Sequence, residues 1–186
     1  MTSSGSVERD ERLRLFLGFR LPEPAAREIA RWQQAELPEH AVRPVPVENL
    51  HVTIAFLGSR PADEVGPIAS VLRGSVAGVP PPVLAPVRYR ETRSVGMLVF
   101  DDEDGRATRI AEDTHRGLAE LGVYEPERRP WLPHLTVVRF RERPRLQPSL
   151  PELEPVTMSD AAVYMSRLRP TGAQYEVVES VPLGGG

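Results

Sequence analysis

The sequence contains no cysteine and no lysine among its 186 residues. Without cysteine, the chain cannot form disulfides, thiolate metal sites or a cysteine nucleophile. Without lysine, all 23 basic residues are arginines, and a guanidinium can bind a phosphate through two parallel hydrogen bonds. The same bias, together with 20 prolines, is typical of a GC-rich genome. No apolar stretch approaches the length of about 18 residues that a membrane-spanning helix needs. The absence of cysteine fits the cytoplasm, so we expect a cytoplasmic protein.

The formal net charge of the chain is −3, which argues against a protein that coats nucleic acid non-specifically. Residues 1–11 are polar and lack the apolar core of a secretory signal, so we predict a loose tail there. The glycine run 184–186 is predicted to be a second loose tail. The length between them, 12–183, fits a single domain with two small lobes, which we expect to act as a monomer.

Short apolar strands alternate with amphipathic helices along the chain, which is the pattern of an α+β or α/β fold. A proline-rich link at 79–82 lies near the middle and separates two halves. The alternation predicts strands at 13–19, 50–57, 83–90, 95–100, 132–140, 161–167 and 174–181. Helical spacing predicts helices at 24–37, 63–72 and 106–121.

A short motif occurs once in each half. The string His-Val-Thr-Ile that begins at His51 returns as His-Leu-Thr-Val at His134. With four histidines and eight threonines, about 0.05 such strings are expected by chance at an ordinary aliphatic content. Because side chains i and i+2 of a strand share a face, His51 lies beside Thr53 and His134 lies beside Thr136. The repeat indicates two lobes of related build, each of which brings one such strand to a shared centre.

Two neighbouring imidazoles suit the cleavage of a phosphodiester. The reaction removes a proton from the attacking oxygen and gives one to the leaving oxygen. Imidazole, with a pKa of about 6.5, can do either at neutral pH. Threonine hydroxyls and a guanidinium can hold the non-bridging oxygens as charge builds on them. His40 and His115 lack the motif, and we predict them in a turn and on a helix respectively, in structural or exposed places.

At these residues the chain resembles the two-histidine (2H) phosphoesterase superfamily. It most closely resembles the bacterial RNA 2′,3′-cyclic phosphodiesterase family, also called 2′-5′ RNA ligase. The resemblance is carried by 48–58 and 133–140, which hold the two motifs with their flanks. Weaker support comes from 14–16, 165–168 and 172–175.

The resemblance implies a bilobal α+β fold, in which two pseudo-symmetric lobes of antiparallel sheet carry helices outside and enclose the active site in the central cleft. It implies hydrolysis of a 2′,3′-cyclic phosphate, on an RNA end or a nucleoside, to a 2′-phosphomonoester. We expect no metal and no other cofactor, because the chain lacks cysteine and no carboxylate has a motif that places it beside the two histidines. His51 is implied to donate a proton to the departing 3′ oxygen, and His134 to accept a proton from water. Thr53, Thr136 and Arg139 are implied to bind the phosphate.

The position of Arg139 conflicts with an ideal strand. It follows Thr136 by three residues, so a regular strand turns it to the opposite face, and a bulge or a strand end is needed to bring it back. Arg139 also begins an alternating row of arginines, which is more typical of a solvated strand face; the others are Arg141, Arg143 and Arg145.

Further contacts to RNA are predicted from aromatic and basic side chains. Trp131 and Tyr175 are candidates to stack on a base, although for Tyr175 a place in the core is favoured. A basic group is predicted to guide the RNA backbone; it comprises Arg141, Arg128, Arg129 and Arg143.

Three other interpretations stay open. A metal enzyme would use the acidic run 101–104, but those residues are contiguous on a predicted turn, whereas metal ligands converge at definite spacings. A related fold can bind a nucleotide without reacting. Ligation is the same chemistry run backwards, with a 5′-hydroxyl in place of water. For the two-histidine mechanism we expect metal-independent activity and a bell-shaped pH profile with limbs between about pH 5 and 8.

Overall fold

The computed structural model describes residues 11–38, 42–170 and 172–184. The two predicted tails, apart from Glu11 and Gly184, lie outside the described residues, and so does His40. The strands in chain order are β1 (Arg12–Arg20), β2 (Arg43–Pro44), β3 (His51–Pro61), β4 (Val83–Glu91), β5 (Val95–Asp101), β6 (His134–Arg139), β7 (Val156–Thr157), β8 (Asp160–Arg169) and β9 (Gly172–Pro182). The helices are α1 (Glu23–Glu36), α2 (Val65–Val76) and α3 (Arg106–Glu120).

In the described part of the chain, nine strands form one antiparallel sheet in the order β7-β4-β5-β6-β3-β1-β8-β9, with β2 paired to β6. The strands of the two histidine motifs, β3 and β6, are neighbours at its centre. Moving outward, β3 pairs with β1 and β6 pairs with β5, and α1 follows β1 as α3 follows β5. The predicted α+β fold with two related lobes is therefore confirmed, and the lobes are the two halves of one continuous sheet.

The helices bury one face of this sheet. In α3, the side chains of Ile110, Ala111 and Leu118 recur at helical spacing and are fully buried in the main core. From the central strands, Val52 and Leu135 enter the same core. Because neighbouring residues of a strand point to opposite faces, the histidines next to them lie on the face away from the helices.

The acidic run 101–104 serves the start of α3. The carboxylate of Asp102 accepts hydrogen bonds from the backbone N–H groups of Ala107 and Thr108, at 3.2 and 2.7 Å, which satisfies donors that a helix leaves free in its first turn. Within the described residues, no three His, Cys, Asp or Glu side chains are grouped so that they could hold a metal ion. None of the helices described has both the length and the apolar character of a membrane span.

Candidate active site

The two central strands bring the histidine motifs face to face. β3 and β6 pair antiparallel at the buried residue that separates histidine from threonine in each motif. That register sets His51 across from Thr136 and Thr53 across from His134, with all four side chains on the face away from the helices. Each imidazole thus has one hydroxyl beside it on its own strand and another across the strand pair.

Both imidazoles are held by the same kind of hydrogen bond, from ring Nδ1 to a backbone carbonyl oxygen. Nδ1 of His51 lies 2.7 Å from the carbonyl oxygen of Asn49, and Nδ1 of His134 lies 2.8 Å from that of Leu132. Since a carbonyl oxygen can only accept, Nδ1 carries the proton in both rings. Nε2 is left as the atom for proton transfer. The side chain of Asn49 in turn donates to the carbonyl oxygen of Ala173 at 2.9 Å, which ties the turn before β3 to β9.

Three aromatic rings surround His51. Its ring centroid lies 4.7 Å from that of Phe16, 5.6 Å from that of Tyr164 and 5.4 Å from that of Tyr175. Phe16 and Tyr164 belong to a small apolar cluster separate from the main core, and Tyr175 packs against it. Sequence reasoning did not identify this aromatic surround, since Phe16 on β1 is distant in the chain from Tyr164 on β8 and Tyr175 on β9.

The aromatic surround buries His51 and so disfavours its charged form. Burial lowers the pKa of His51 to about 4, the hydrogen bond to Asn49 acts to raise it, and the charges of His134 and Arg139 lower it further. At pH 7, a group with that pKa is protonated in about one molecule in a thousand. His51 is therefore neutral at pH 7 unless a neighbouring anion raises its pKa.

Gly18 on β1 leaves the space that the His51 ring occupies. A β-carbon on Gly18 would lie 3.0 Å from the carbonyl oxygen of Val52 and 3.2 Å from Cδ2 of His51. Both contacts are tighter than ordinary van der Waals separations. Any larger residue at this position must push the strand or the imidazole aside.

Each central strand contains an extra residue directly after its motif threonine, and β3 contains a second one at Leu57. On β3, successive residues of β1 pair on either side of Ile54, and on β6, successive residues of β5 pair on either side of Val137. We call these positions the Ile54 bulge and the Val137 bulge. An extra residue shifts the alternation of a strand by one, so a side chain that would face the core turns to the cleft. The residues turned in this way are Phe56 and Arg139.

The Val137 bulge resolves the conflict over Arg139, which lies on the same face as Thr136 and close enough for its charge to lower the pKa of His51. Phe56 is its counterpart in the other half: it is 64% exposed and its ring centroid lies 5.6 Å from that of Phe16. Phe56 was not predicted. The repeat contained the signal, because Phe56 follows the first motif histidine by five residues, as Arg139 follows the second.

A groove of about 600 Å³ combines aromatic with basic walls. Neither motif histidine lines it, but Phe16 and Tyr175, which pack against His51, form part of its wall. An open groove of this composition fits a flat apolar group attached to an anion. Its side chains that carry this character are Phe16, Phe56, Tyr175, Arg14, Arg43 and Arg139.

The predicted RNA contacts occupy three different kinds of place. Tyr175 lines the groove. Trp131 is partly buried, and its Nε1 donates to the carbonyl oxygen of Thr53 at 3.0 Å, while its ring meets Phe19 edge-on at 6.3 Å. Arg141 is exposed just beyond the end of β6. The structure brings Tyr175 to the site, whereas neither Trp131 nor Arg141 lines this groove.

Comparison with known families and proteins gives a consistent result. A family model described as LigT like Phosphoesterase matches residues 19–85. An RNA 2′,3′-cyclic phosphodiesterase of Thermus thermophilus is 32% identical over 184 residues, which cover 93% of this chain and 91% of the relative. A protein of the same name from Escherichia coli is 29% identical over 128 residues, which cover 68% of this chain and 71% of the relative.

Solved structures have the same fold. A crystal structure of a protein from Thermus thermophilus superposes with a TM-score of 0.77 at 30% identity, covering 93% of this chain and 99% of the other. The crystal structure of E. coli LigT complexed with 3′-AMP also superposes with a TM-score of 0.77, over 93% of this chain and 99% of the other. Its identity to this chain is 23%, so that likeness concerns the fold alone.

Proposed function

This chain belongs to the LigT-like phosphoesterase family, and from that premise we propose that it hydrolyses the 2′,3′-cyclic phosphate at the end of an RNA to a 2′-phosphomonoester. Its relatives from T. thermophilus and E. coli are named RNA 2′,3′-cyclic phosphodiesterases. The observation that carries the proposal is the matched pair of imidazoles, each held through Nδ1 and set across from the threonine of the other motif.

The two histidines divide the proton transfers of the reaction. Nε2 of His134 takes a proton from water as the water oxygen forms its bond to phosphorus. The bond from phosphorus to the 3′ oxygen breaks, and Nε2 of His51 gives that oxygen its proton. The product is a 3′-hydroxyl beside a 2′-phosphate, and the starting protonation states return by exchange with solvent.

As donor, His51 needs a proton that it lacks before substrate binds, because burial lowers its pKa to about 4. An anionic phosphate beside the ring favours the charged imidazolium and raises that pKa. His51 therefore takes up its proton together with the substrate.

Titration of His51 by NMR tests this step. In the ligand-free protein the Cε1–H resonance of His51 should titrate with a midpoint at about pH 4. Saturating inorganic phosphate should raise that midpoint by about 1–3 pH units. Calorimetry in buffers of different ionisation enthalpy should show proton uptake on phosphate binding near pH 6. If His51 stays neutral in the phosphate complex at that pH, the roles of the two histidines must be exchanged.

The hydroxyls of Thr53 and Thr136 and the guanidinium of Arg139 lie on the face where the phosphate must sit. Charge builds on the non-bridging oxygens as water attacks, and charge-assisted hydrogen bonds from a planar guanidinium stabilise it. The threonines orient the phosphate without transferring a proton, so their removal should cost less than removal of a histidine.

The groove beside His51 gives the terminal nucleotide a place. We propose that its base lies against Phe56 and Tyr175, whose rings offer a stacking surface of the kind that unpaired RNA bases use. Trp131 and Arg141 stay predictions for contacts with longer RNA, beyond the groove.

Replacement of Gly18 by alanine tests the packing around His51. The added methyl group meets the Val52 carbonyl and the His51 ring, so we expect turnover of a cyclic phosphate to fall by about tenfold or more while most molecules remain folded. Gly66→Ala on α2 is the matched control, because a β-carbon there meets nothing within 4 Å. Unchanged turnover in Gly18→Ala would contradict the close fit.

The proposed function is tested with a short oligonucleotide that ends in a 2′,3′-cyclic phosphate. After exhaustive chelation, the protein should convert it to a 2′-phosphate, identified by mass spectrometry and by chromatography against both isomeric standards. A chiefly 3′-phosphate product would mean that the regiochemistry is wrong even with the correct histidines.

The same assay separates the alternatives. Adding an RNA with a 5′-hydroxyl should reveal any joining, which tests ligation directly. Loss of activity on chelation with recovery on adding a divalent ion would overturn the two-histidine mechanism. Binding of the oligonucleotide without turnover at any pH would identify a silent binding module.

We further propose that the protein acts as a monomer in the cytoplasm. Both histidines of the cleft come from one chain, so the chemistry needs no residue from a second copy. Light scattering at assay concentration should give the mass of one chain, which is 20.7 kDa.

A further inference from the structure

The carbonyl oxygen of each bulge residue is bound by a polar side chain from a helix. Nε2 of His115, on α3, lies 2.7 Å from the carbonyl oxygen of Ile54. Nε2 of Gln33, on α1, donates to the carbonyl oxygen of Val137 at 2.6 Å and to that of Val45 at 3.1 Å. His115 thus binds the Ile54 carbonyl from outside the sheet. The Val137 carbonyl already accepts the backbone N–H of Val45 at 2.9 Å, and Gln33 gives it a second hydrogen bond.

The two contacts follow the pseudo-two-fold axis of the sheet. α1 follows β1 in one half but binds the Val137 bulge on β6 of the other half, and α3 follows β5 but binds the Ile54 bulge on β3. A glutamine and a histidine therefore bind the bulge carbonyl groups at equivalent positions of the two halves. An accidental contact does not explain these two hydrogen bonds, because it would have to occur twice at corresponding positions.

Both side chains are held where they are. Gln33 is 3% exposed, so losing its hydrogen bonds would leave a buried amide unpaired. His115 is partly buried, and its ring stacks on Tyr124 at a centroid distance of 4.9 Å. Neither residue lies on the cleft face, and neither contact requires a charged side chain.

We infer that Gln33 and His115 are positioning residues that keep the two bulges in place and so hold Arg139 and Phe56 in the cleft. Removing the bulge from a strand returns every later side chain to the opposite face. Gln33 thus acts on the phosphate through Arg139, and His115 acts on the base through Phe56. The assignment of phosphate and base rests on the proposed function.

The inference predicts two different losses. Gln33→Leu should weaken the binding of inorganic phosphate by about tenfold and lower kcat, because the guanidinium is no longer aimed at the phosphate. His115→Leu should leave phosphate affinity nearly unchanged and raise KM for a nucleoside 2′,3′-cyclic phosphate several-fold, because Phe56 no longer faces the groove. If Gln33 and His115 contributed only to stability, the folded molecules of each variant would keep the phosphate affinity and the KM of the wild type.

The experiment compares these variants with conservative and matched ones. His115→Gln keeps an N–H donor and should recover most of the KM, and Gln33→His should do the same for phosphate binding. Gln34→Leu and Glu112→Leu, exposed neighbours on α1 and α3, serve as controls for adding leucine to each helix. Phosphate affinity is measured by calorimetry, kinetics with a nucleoside cyclic phosphate, and the folded fraction by circular dichroism.

Phosphate binding and KM that match the wild type in folded Gln33→Leu and His115→Leu would overturn the inference. So would conservative variants no better than the leucine variants, since the hydrogen bond would then be irrelevant. If the leucine variants do not fold, the phosphate affinity of Gln33→His and the KM of His115→Gln provide the test. Phosphate binding also separates this inference from the proposed function: a wild type without turnover refutes the function, while weaker phosphate binding by Gln33→Leu still supports the positioning role.

Discussion

Replacing either His51 or His134 by alanine should lower kcat by about 10²–10⁴, because each change removes a positioned acid or base. Both rings are fixed through Nδ1 by backbone carbonyl groups, so the protein has already ordered the imidazole before substrate arrives. The measurement is turnover of a 2′,3′-cyclic phosphate oligonucleotide at pH 7 by variants whose folded fraction is checked by circular dichroism.

The double replacement provides the sharper control. Residues that act as a unit show grossly non-additive losses, so the variant without His51 and His134 should be little slower than the worse single variant. Inorganic phosphate should still bind to each single variant through Arg139 and the threonines. If each alanine variant keeps more than about a tenth of the wild-type rate while folded, the two rings are not the proton-transfer groups.

The centre of the fold was predictable because it repeats. Two His-x-Thr strings in one chain required two related strands, and the period of two placed His51 with Thr53 and His134 with Thr136 on shared faces. The structure adds the register between β3 and β6, which sets each histidine across from the other motif's threonine. No local pattern contains that register, since it depends on which strands become neighbours.

The bulges were predictable only in part, for a related reason: the implied role of Arg139 required a bulge or a strand end, but the sequence did not locate it. A bulge is a mismatch between two strands, so the residues of β6 alone predict regular alternation and turn Arg139 away from the cleft. The mismatch at Val137 appears only when β6 is paired with β5. The position of Phe56 in the cleft depends in the same way on the Ile54 bulge, which appears only when β3 is paired with β1.

The contacts that hold the bulges are equally non-local. Gln33 is separated from Val137 by 104 residues, and His115 from Ile54 by 61. From the sequence, His115 was predicted to be structural or exposed on a helix, which is correct in kind but says nothing of the strand it binds. A buried glutamine on an otherwise apolar helix face is the single local sign that a distant polar partner exists.

Replacing Arg139 by leucine should lower kcat/KM for a cyclic phosphate by about 10²–10³, the usual effect of losing one donor to charge that develops in a transition state. Arg139→Lys should recover part of this loss, because lysine keeps the charge but not the planar fork that binds two oxygens. Arg109→Leu, an exposed arginine on α3, is the control for losing one positive charge. Steady-state kinetics at low and high salt measure all three.

The pKa of His51 gives the same replacement a second readout that does not depend on turnover. Since the charge of Arg139 helps to lower the pKa of His51, Arg139→Leu should move the NMR titration midpoint of that ring upward from about 4 in the ligand-free protein. The variant would then hold its proposed proton donor in the reactive form more often, yet react more slowly, which separates phosphate binding from proton supply. An unchanged midpoint together with an unchanged kcat/KM would place Arg139 outside the site, on the solvated strand face that its spacing alone suggests.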